Sequence, residues 1–425
     1  MKKQLLFILL ALLSANMFSQ SFTDHFEDKT LRLDYIFSGN TESQSVTVRD
    51  LKQLPQWAGR RVNLDSLLLN GNGQIVVHDA ATNDVIYREA FSSLFQEWLT
   101  TPEAQSVPKA FENTYLVPFP KNKVSVEVLF RKRDGQYESK CRLEIDPRDI
   151  LIKKMDNKAT PPYTYLHKGG EVEKTINVVI VAEGYTPSEM NKFKEHARIT
   201  CEQIFAHEPF GEMKNRFNFV AVETPSMESG VGVPRNNEWK HTAFSSHFDT
   251  FYSERYLTTS HLFDLHDALA GIPYAHIIIL ANTSVYGGGG IFNAYTLTTT
   301  GHPNFEPVVV HEFGHSFAGL ADEYFYLGDI FDDTYPHDVE PWEPNITTLT
   351  DFASKWEKQL SANTPVPTDI NSAHKHKVGV YEGAGYSAKG IYRPTPDCRM
   401  KTNAFPVFCP VCQRAISDLV KFYTE

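Results

Sequence analysis

The sequence predicts an α+β protein with two domains, an N-terminal β-sandwich and a C-terminal α/β domain. Residues 21–152 are dominated by short runs in which polar and apolar residues alternate, as in half-buried strands. Beyond residue 170, continuous apolar runs typical of buried strands alternate with helical segments. One of these segments begins near residue 304 and carries two histidines and a glutamate. The chemistry of the protein is therefore expected in the second domain.

Residues 1–20 have the pattern of a secretory signal peptide. A basic start, residues 1–3, precedes a short apolar core at residues 4–13, and small or polar residues follow. We therefore expect a bacterial protein that is exported to the periplasm or the cell exterior. No later segment reaches the roughly 18 uninterrupted apolar residues that a transmembrane helix needs, so no membrane span is predicted.

Residues 21–152 are predicted to form the β-sandwich. Alternating segments at residues 31–37, 74–78 and 124–130 are separated by turn residues such as Asn-Gly-Asn-Gly at 70–73. No cluster of titratable residues stands out, which favours a binding or packing module over a second active site. Residues 153–170 contain Pro-Pro and Gly-Gly pairs and are predicted to be a linker, followed by the second domain at residues 171–425.

The segment His311-Glu312-Phe313-Gly314-His315 is the most informative part of the chain. Two histidines four positions apart lie on one face of a helix, about 40° apart around its axis. Both imidazoles can therefore bind a single Zn²⁺. Glu312 is next to the metal on the same helix, where it can take a proton from a zinc-bound water. This pattern predicts a zinc-dependent hydrolytic site with Glu312 as the general base.

The third zinc ligand is predicted just after this helix. Gly319 is a natural helix stop, since glycine adopts the left-handed conformation that reverses the chain. The two histidines, the glycine and a following acid resemble the metzincin pattern HExxHxxGxxH, in which the third ligand is sometimes aspartate. Here three residues, not two, separate His315 from Gly319. Asp322 is preferred because it keeps the ligand's offset from the glycine, and Glu323 remains the alternative.

The block HEFGHSFAGLADEY, residues 311–324, also resembles the M64 peptidase family, whose founding activity is that of an immunoglobulin A-cleaving metallopeptidase. The resemblance covers both halves of the mature chain. It implies a metzincin-like zinc peptidase domain, an N-terminal β-rich domain and a protein or peptide substrate, which can be a glycoprotein. The first hypothesis is a secreted zinc endopeptidase. The alternatives are an amidase of peptidoglycan-derived peptides and a non-catalytic, zinc-stabilised binding protein of the cell envelope, and Glu312 argues against the second.

Other segments are expected to complete the site. An apolar strand at residues 275–282 is followed by a four-glycine loop at 287–290 and a second strand at 291–297, whose exposed edge can pair with an extended peptide. Met400 is expected in a tight turn that packs beneath the histidines. The sequence does not rank three candidates for the group that stabilises the oxyanion: Tyr324, Tyr386 and Tyr392.

The chain has five cysteines, and three of them, Cys398, Cys409 and Cys412, lie near the C-terminus. Export favours a disulfide from Cys398 to one of the other two. The alternative is a structural zinc held by the three thiolates and a histidine, since Cys409 and Cys412 have CxxC spacing. The formal net charge of -11 argues against a nucleic-acid partner. The sequence gives no indication of the oligomeric state.

Overall fold

The computed structural model describes residues 21–155, 160–325 and 334–425, so the predicted signal peptide lies outside the described residues. The N-terminal domain contains eight strands and two short helices. In chain order they are α1 (Phe22–His25), β1 (Phe26–Gly39), β2 (Gln44–Leu54), β3 (Gly73–Asp79), β4 (Val85–Phe91), α2 (Leu94–Trp98), β5 (Lys109–Pro120), β6 (Val124–Arg131), β7 (Tyr137–Ile145) and β8 (Lys153–Lys154).

These strands form two four-stranded sheets with the orders β5-β1-β2-β8 and β4-β3-β6-β7. One apolar cluster contains buried side chains from both sheets, including Leu33 and Phe37 of β1, Val77 of β3 and Val126 of β6. Because alternate residues of a strand point to the same face, the polar–apolar alternation of the sequence puts these side chains between the sheets. The two sheets with their shared core form the predicted sandwich.

The second domain is built on a six-stranded sheet. Its strands are β9 (Tyr163–Lys168), β10 (Ile176–Glu183), β11 (Phe217–Val222), β12 (His276–Ala281), β13 (Gly288–Ile291) and β14 (Tyr295–Thr299). The sheet order is β13-β14-β12-β10-β11-β9. The four central strands are parallel, and both edge strands are antiparallel to their neighbours. The domain also contains α3 (Met190–Phe205), α4 (Leu262–Ala268), α5 (Phe305–Ala318), the hairpin β15 (Tyr381–Ala384) and β16 (Ser387–Arg393), and α6 (Pro410–Thr424).

Both faces of the central strand β10 are covered, which explains why all eight of its residues are buried. On one face, Val178 and Ile180 belong to a cluster that also contains side chains of α3, α5 and α6. On the other face, Val179 and Val181 pack in a second cluster with Leu265 of α4. The protein therefore has the α+β composition that the sequence predicts, with α5 held against the sheet.

The predicted linker at residues 153–170 is wrong in part. Lys153–Lys154 pairs with β2 and so belongs to the first domain. Tyr163–Lys168 is an edge strand of the second domain and pairs with β11. The Pro-Pro and Gly-Gly dipeptides at the two ends of this segment are typical of a linker. The segment is nevertheless a strand, because it forms hydrogen bonds with β11, whose residues are distant in the sequence.

The glycine-rich segment also differs from the prediction. Gly288–Ile291 is not a loop but the edge strand, and it pairs with β14, which lies inside the sheet. A Cβ atom on Gly290 would lie 2.3 Å from the carbonyl oxygen of Glu312 and 2.8 Å from the Cβ of His315. At the edge of β13 that does not face β14, Tyr256 forms an isolated β-bridge with Gly288. The glycines are therefore needed because the edge strand runs directly against α5, and part of its free edge is already covered.

Replacing Gly290 by alanine should lower the free energy of unfolding by about 1–3 kcal/mol, the usual cost of overpacking a well-packed contact. The gain from a less flexible unfolded chain, about 0.4–1 kcal/mol, is smaller. Gly288→Ala is the matched comparison, since its Cβ would meet its nearest atoms at 3.1 Å, and it should cost less. Urea unfolding of both variants measures the difference. Equal stability of Gly290→Ala and the parent would contradict the close approach of β13 to α5.

Candidate active site

The site is assembled by a reversal of the chain at the end of α5. Gly319 has φ 58°, in the left-handed region, and its N–H bonds to the carbonyls of Gly314 and His315. The Leu320 N–H also bonds to the Gly314 carbonyl, at 3.2 Å. These contacts end the helix as predicted from the glycine. The following residues turn back along the helix and bring Asp322 to the two histidines.

Three predicted metal ligands converge. The Nε2 atoms of His311 and His315 are 3.0 Å apart. The Asp322 Oδ1 atom lies 3.1 Å from Nε2 of His311 and 3.3 Å from Nε2 of His315. The Asp322 side chain is only 5% exposed, and the histidines are 12% and 16% exposed. The structure therefore brings together the residues that the sequence singles out for one ion.

The backbone fixes which nitrogen of each histidine is available. The Nδ1 atom of His311 lies 3.0 Å from the Arg399 carbonyl oxygen, and the Nδ1 atom of His315 lies 2.5 Å from the Leu320 carbonyl oxygen. A carbonyl oxygen only accepts hydrogen bonds, so each Nδ1 carries the proton. In the neutral imidazoles, both Nε2 lone pairs are then directed at each other and at Asp322. This is the arrangement by which metal-binding histidines are usually oriented.

These residues fit a divalent metal ion. Three lone-pair donors at 3.0–3.3 Å repel one another unless a cation lies between them. Ligands about 2.0–2.1 Å from a tetrahedral Zn²⁺ are themselves separated by about 3.3 Å, which is close to the observed spacing. The Oδ1 atom of Asp322 is also buried and has no hydrogen-bond partner. A metal ion would supply the missing interaction.

The charges of the site favour a cation next to Asp322. Burial by itself lowers the pKa of His315, but the Asp322 carboxylate outweighs this and raises it to about 9. Burial raises the pKa of Asp322, and the two imidazoles more than reverse this, so that the pKa lies well below its ordinary value. A histidine must be neutral to bind a metal, so a cation at this position would compete with protons.

Asp322 and Glu323 have different partners, and this separates the two alternatives for the third ligand. The Tyr386 hydroxyl donates a hydrogen bond of 2.6 Å to Oδ2 of Asp322. Glu323 instead accepts a hydrogen bond of 2.9 Å from Nδ2 of Asn345 and lies 3.2 Å from the sulfur of Cys412. Only Asp322 of this pair contacts the histidines. The structure thus places Asp322 beside the histidines and Glu323 in a separate cluster.

Glu312 lies close to the two histidines, and Met400 packs against α5 between them. A donor atom of Glu312 lies within 4.8 Å of those of His311 and His315, so Glu312 is beside the cluster, whereas Asp322 contacts it directly. Burial raises the pKa of Glu312. Met400 is fully buried, and a Cβ on Gly314 would lie 2.8 Å from its sulfur. Gly314 lies between the two histidines on α5, so Met400 packs against the helix at the position of the histidines.

A cleft of about 1080 Å³ lies over these residues and is lined by both domains. Tyr324 and Tyr386 line it, whereas Tyr392 is not among the lining residues. The N-terminal domain contributes Glu97, whose carboxylate accepts a hydrogen bond from the Tyr256 hydroxyl. Burial raises the pKa of Glu97 to about 7.

Glu97 lines the cleft, although no cluster of titratable residues in the N-terminal sequence pointed to it. Glu97 is a single acid in a five-residue helix, and its partner Tyr256 is 159 positions away. No local pattern marks such a residue. Only the packing of the two domains brings it into the cleft.

The predicted disulfide is also wrong. All five cysteines, each within the described residues, are free thiols, and the sulfurs of Cys398 and Cys412 are 3.8 Å apart. The three C-terminal cysteines do cluster, as the zinc alternative requires, but the fourth member of the cluster is Glu323 and not a histidine. The Glu323 carboxylate reaches the three cysteines after the reversal at Gly319. The side chain of its neighbour Asp322 contacts the histidines instead.

Removing the Tyr386 hydroxyl should weaken metal binding, because Asp322 loses the hydrogen bond that orients its carboxylate. We expect Tyr386→Phe to reduce Zn²⁺ affinity by about 10–100-fold, the usual effect of losing such a supporting contact. Tyr392→Phe is the control, since this tyrosine lies outside the cleft lining. Competition with a chromophoric chelator measures both affinities. An unchanged affinity of Tyr386→Phe would show that the hydroxyl does not position the ligand.

Among the described residues, no helix has both the length and the apolar character needed to cross a bilayer.

Comparison with known proteins and protein families gives the family of this chain. None of the curated proteins matches the chain significantly. A family described as IgA Peptidase M64 matches residues 164–375 and 370–420, and one described as Peptidase M64 N-terminus matches residues 21–142. The first match covers more than half of the chain and the second covers the sandwich, so this protein belongs to the M64 peptidase family.

Proposed function

We propose that this protein is a secreted, zinc-dependent endopeptidase with a metzincin-like catalytic domain. His311, His315 and Asp322 hold the zinc ion, and Glu312 is the general base. The observation that carries the proposal is the convergence of three lone-pair donors at 3.0–3.3 Å on the floor of an open cleft. The helix, the glycine turn and the methionine below the histidines support the comparison with metzincins. Export is inferred from the composition of residues 1–20.

Zn²⁺ bound by these residues would supply a Lewis acid that polarises the scissile carbonyl and lowers the pKa of a water molecule. The role of Glu312 follows from its position beside the ligands. Its buried carboxylate has a raised pKa, which suits a group that must accept a proton and then release it. Glu312 takes the proton of the attacking water and passes it to the leaving amine.

The backbone of the edge strand β13 lies close to Glu312. A Cβ on Gly288 would lie 3.1 Å from Oε1 of Glu312, so no side chain of β13 separates the strand from the base. Tyr324 and Tyr386 line the cleft with ring centroids 5.6 Å apart. A phenolic O–H is a donor that can stabilise the developing oxyanion. The single O–H of Tyr386 is donated to Asp322, so we assign the oxyanion role to Tyr324.

The form of the cleft favours a protein substrate. Its walls come from both domains, with Gln96, Glu97 and Arg131 on the sandwich side. Both hydrogen-bond donors and acceptors line this side, as an extended peptide with its many polar backbone groups requires. A substrate that occupies the cleft would contact the sandwich as well as the catalytic floor.

The test is the substitution Glu312→Gln, which keeps the size of the side chain and removes its basicity. We expect hydrolysis of casein and of a peptide library to fall by about 10²–10⁴-fold, the usual contribution of a general base, with the zinc content unchanged. Glu306→Gln is the matched control, since this acid lies at the exposed start of the same helix. Its activity should equal that of the parent.

Two outcomes would contradict the proposal. Equal hydrolysis by Glu312→Gln and the parent would remove Glu312 from the mechanism. A parent protein that binds zinc but cleaves neither casein nor any member of the library would favour a non-catalytic binding protein. Zinc content and activity are measured on the same samples, so the two outcomes are distinguishable.

A further inference from the structure

We propose that Glu323, Cys398, Cys409 and Cys412 form a second metal site, distinct from the catalytic one, which holds a structural Zn²⁺. The donor atoms of these four residues all lie within 4.8 Å of one another. Their exposed fractions are 0%, 0%, 2% and 0%. Structural zinc sites have four protein ligands and no open position, and most contain two to four cysteines. Three cysteines and Glu323 supply that number, with the carboxylate in the place that a histidine or a fourth cysteine usually takes.

The distances within this cluster fit a metal ion better than a disulfide. The sulfurs of Cys398 and Cys412 are 3.8 Å apart, whereas the bond length of a disulfide is about 2.05 Å. Two thiolates that each lie about 2.3 Å from a tetrahedral zinc are separated by about 3.8 Å. Oε1 of Glu323 lies 3.2 Å from the sulfur of Cys412, so the carboxylate is close enough to share the same ion.

The buried acid of the cluster favours a cation as its partner. Oε2 of Glu323 is buried and has no hydrogen-bond partner. An ionised carboxylate in such a position is costly unless a cation compensates it. A metal ion among the four donors would provide that compensation.

The backbone around the sulfurs also favours thiolates. The Cys409 N–H points to the sulfur of Cys398 at 3.2 Å, and the Cys412 N–H points to the sulfur of Cys409 at 3.5 Å. Cys409 is the N-cap of α6, a helix of 15 residues. The free N–H groups and the dipole at a helix N-terminus stabilise negative charge on sulfur. Thiolates, and not thiols, bind Zn²⁺.

The second site would tie together the segments that shape the catalytic floor. Glu323 follows the zinc ligand Asp322, and its N–H donates to the Met400 carbonyl at 2.8 Å. Cys398 precedes Arg399, whose carbonyl orients His311. The cysteines of α6 attach the C-terminal helix to both segments. A metal here would therefore crosslink three parts of the chain that are separate in sequence, and this role does not depend on the proposed catalysis.

The test uses the full chain and readouts other than activity. Metal analysis after loading with Zn²⁺ should give two ions per chain for the parent. His311→Ala/His315→Ala and Cys409→Ser/Cys412→Ser should each retain one. After replacement of zinc by Co²⁺, the parent and the histidine variant should show thiolate-to-cobalt charge-transfer absorption in the near ultraviolet, because only the second site has sulfur ligands. Cys201→Ser, a buried cysteine outside the cluster, is the control and should keep this absorption.

Several results would overturn the proposal. One metal ion per chain and no charge-transfer absorption in the parent would exclude the site, and a loss of two titratable thiols in unreduced, denatured protein would then identify a disulfide. Absorption that survives in Cys409→Ser/Cys412→Ser would place the sulfur ligands elsewhere. If the cysteine variant does not fold, the parent and the histidine variant decide the question by themselves. Loss of the catalytic ion alone would leave the absorption unchanged, so the two sites fail independently.

Discussion

The crowding of three lone-pair donors on α5 and the turn after it is the constraint on which the site depends. His311, His315 and Asp322 are held at 3.0–3.3 Å by contacts that do not involve the ligand atoms themselves. The backbone carbonyls of Arg399 and Leu320 bind the Nδ1 atoms, and Tyr386 binds the far oxygen of Asp322. The fold thus opposes the mutual repulsion of the donors. This preorganisation lowers the cost of ordering the ligands when a cation binds.

The turn at Gly319 distributes two neighbouring acids between two clusters. Asp322 contacts the histidines, whereas Glu323 is buried among cysteines and is bonded to Asn345. Asn345 also holds the turn itself, because it bonds to both the N–H and the carbonyl of Ala321. Neither acid can change places with the other without breaking these contacts. The choice between them is made by the backbone direction after the helix, which fixes the side on which each side chain lies.

Local patterns predicted the parts of the molecule that local chemistry determines. The spacing of HEFGH, the helix stop at Gly319 and the alternation in the sandwich strands each depend on residues close together in sequence. The remaining features depend on distant contacts. Glu97 meets Tyr256 across 159 positions and Cys412 meets Glu323 across 89. The strand character of Gly288–Ile291 follows from its pairing with β14 and its approach to α5. In each case the two contacting residues lie too far apart in the sequence for a local pattern to include both. A local pattern therefore could not identify these contacts.

The contacts between the domains make the sandwich a wall of the cleft and not a detachable accessory. Arg32 and Asp34 are fully buried in β1. Arg32 and Lys52 each form ion pairs with Asp34 and with Asp267 of the second domain, at 2.6–3.1 Å. Separating the domains would remove Asp267 and leave two buried cations with one carboxylate between them, which is strongly unfavourable. Next to the cleft, the Ser92 N–H bonds to the Phe292 carbonyl at 2.9 Å, one residue beyond the edge strand β13. Glu97 is therefore fixed relative to Glu312 by the same interface, which joins the two regions that match M64 families.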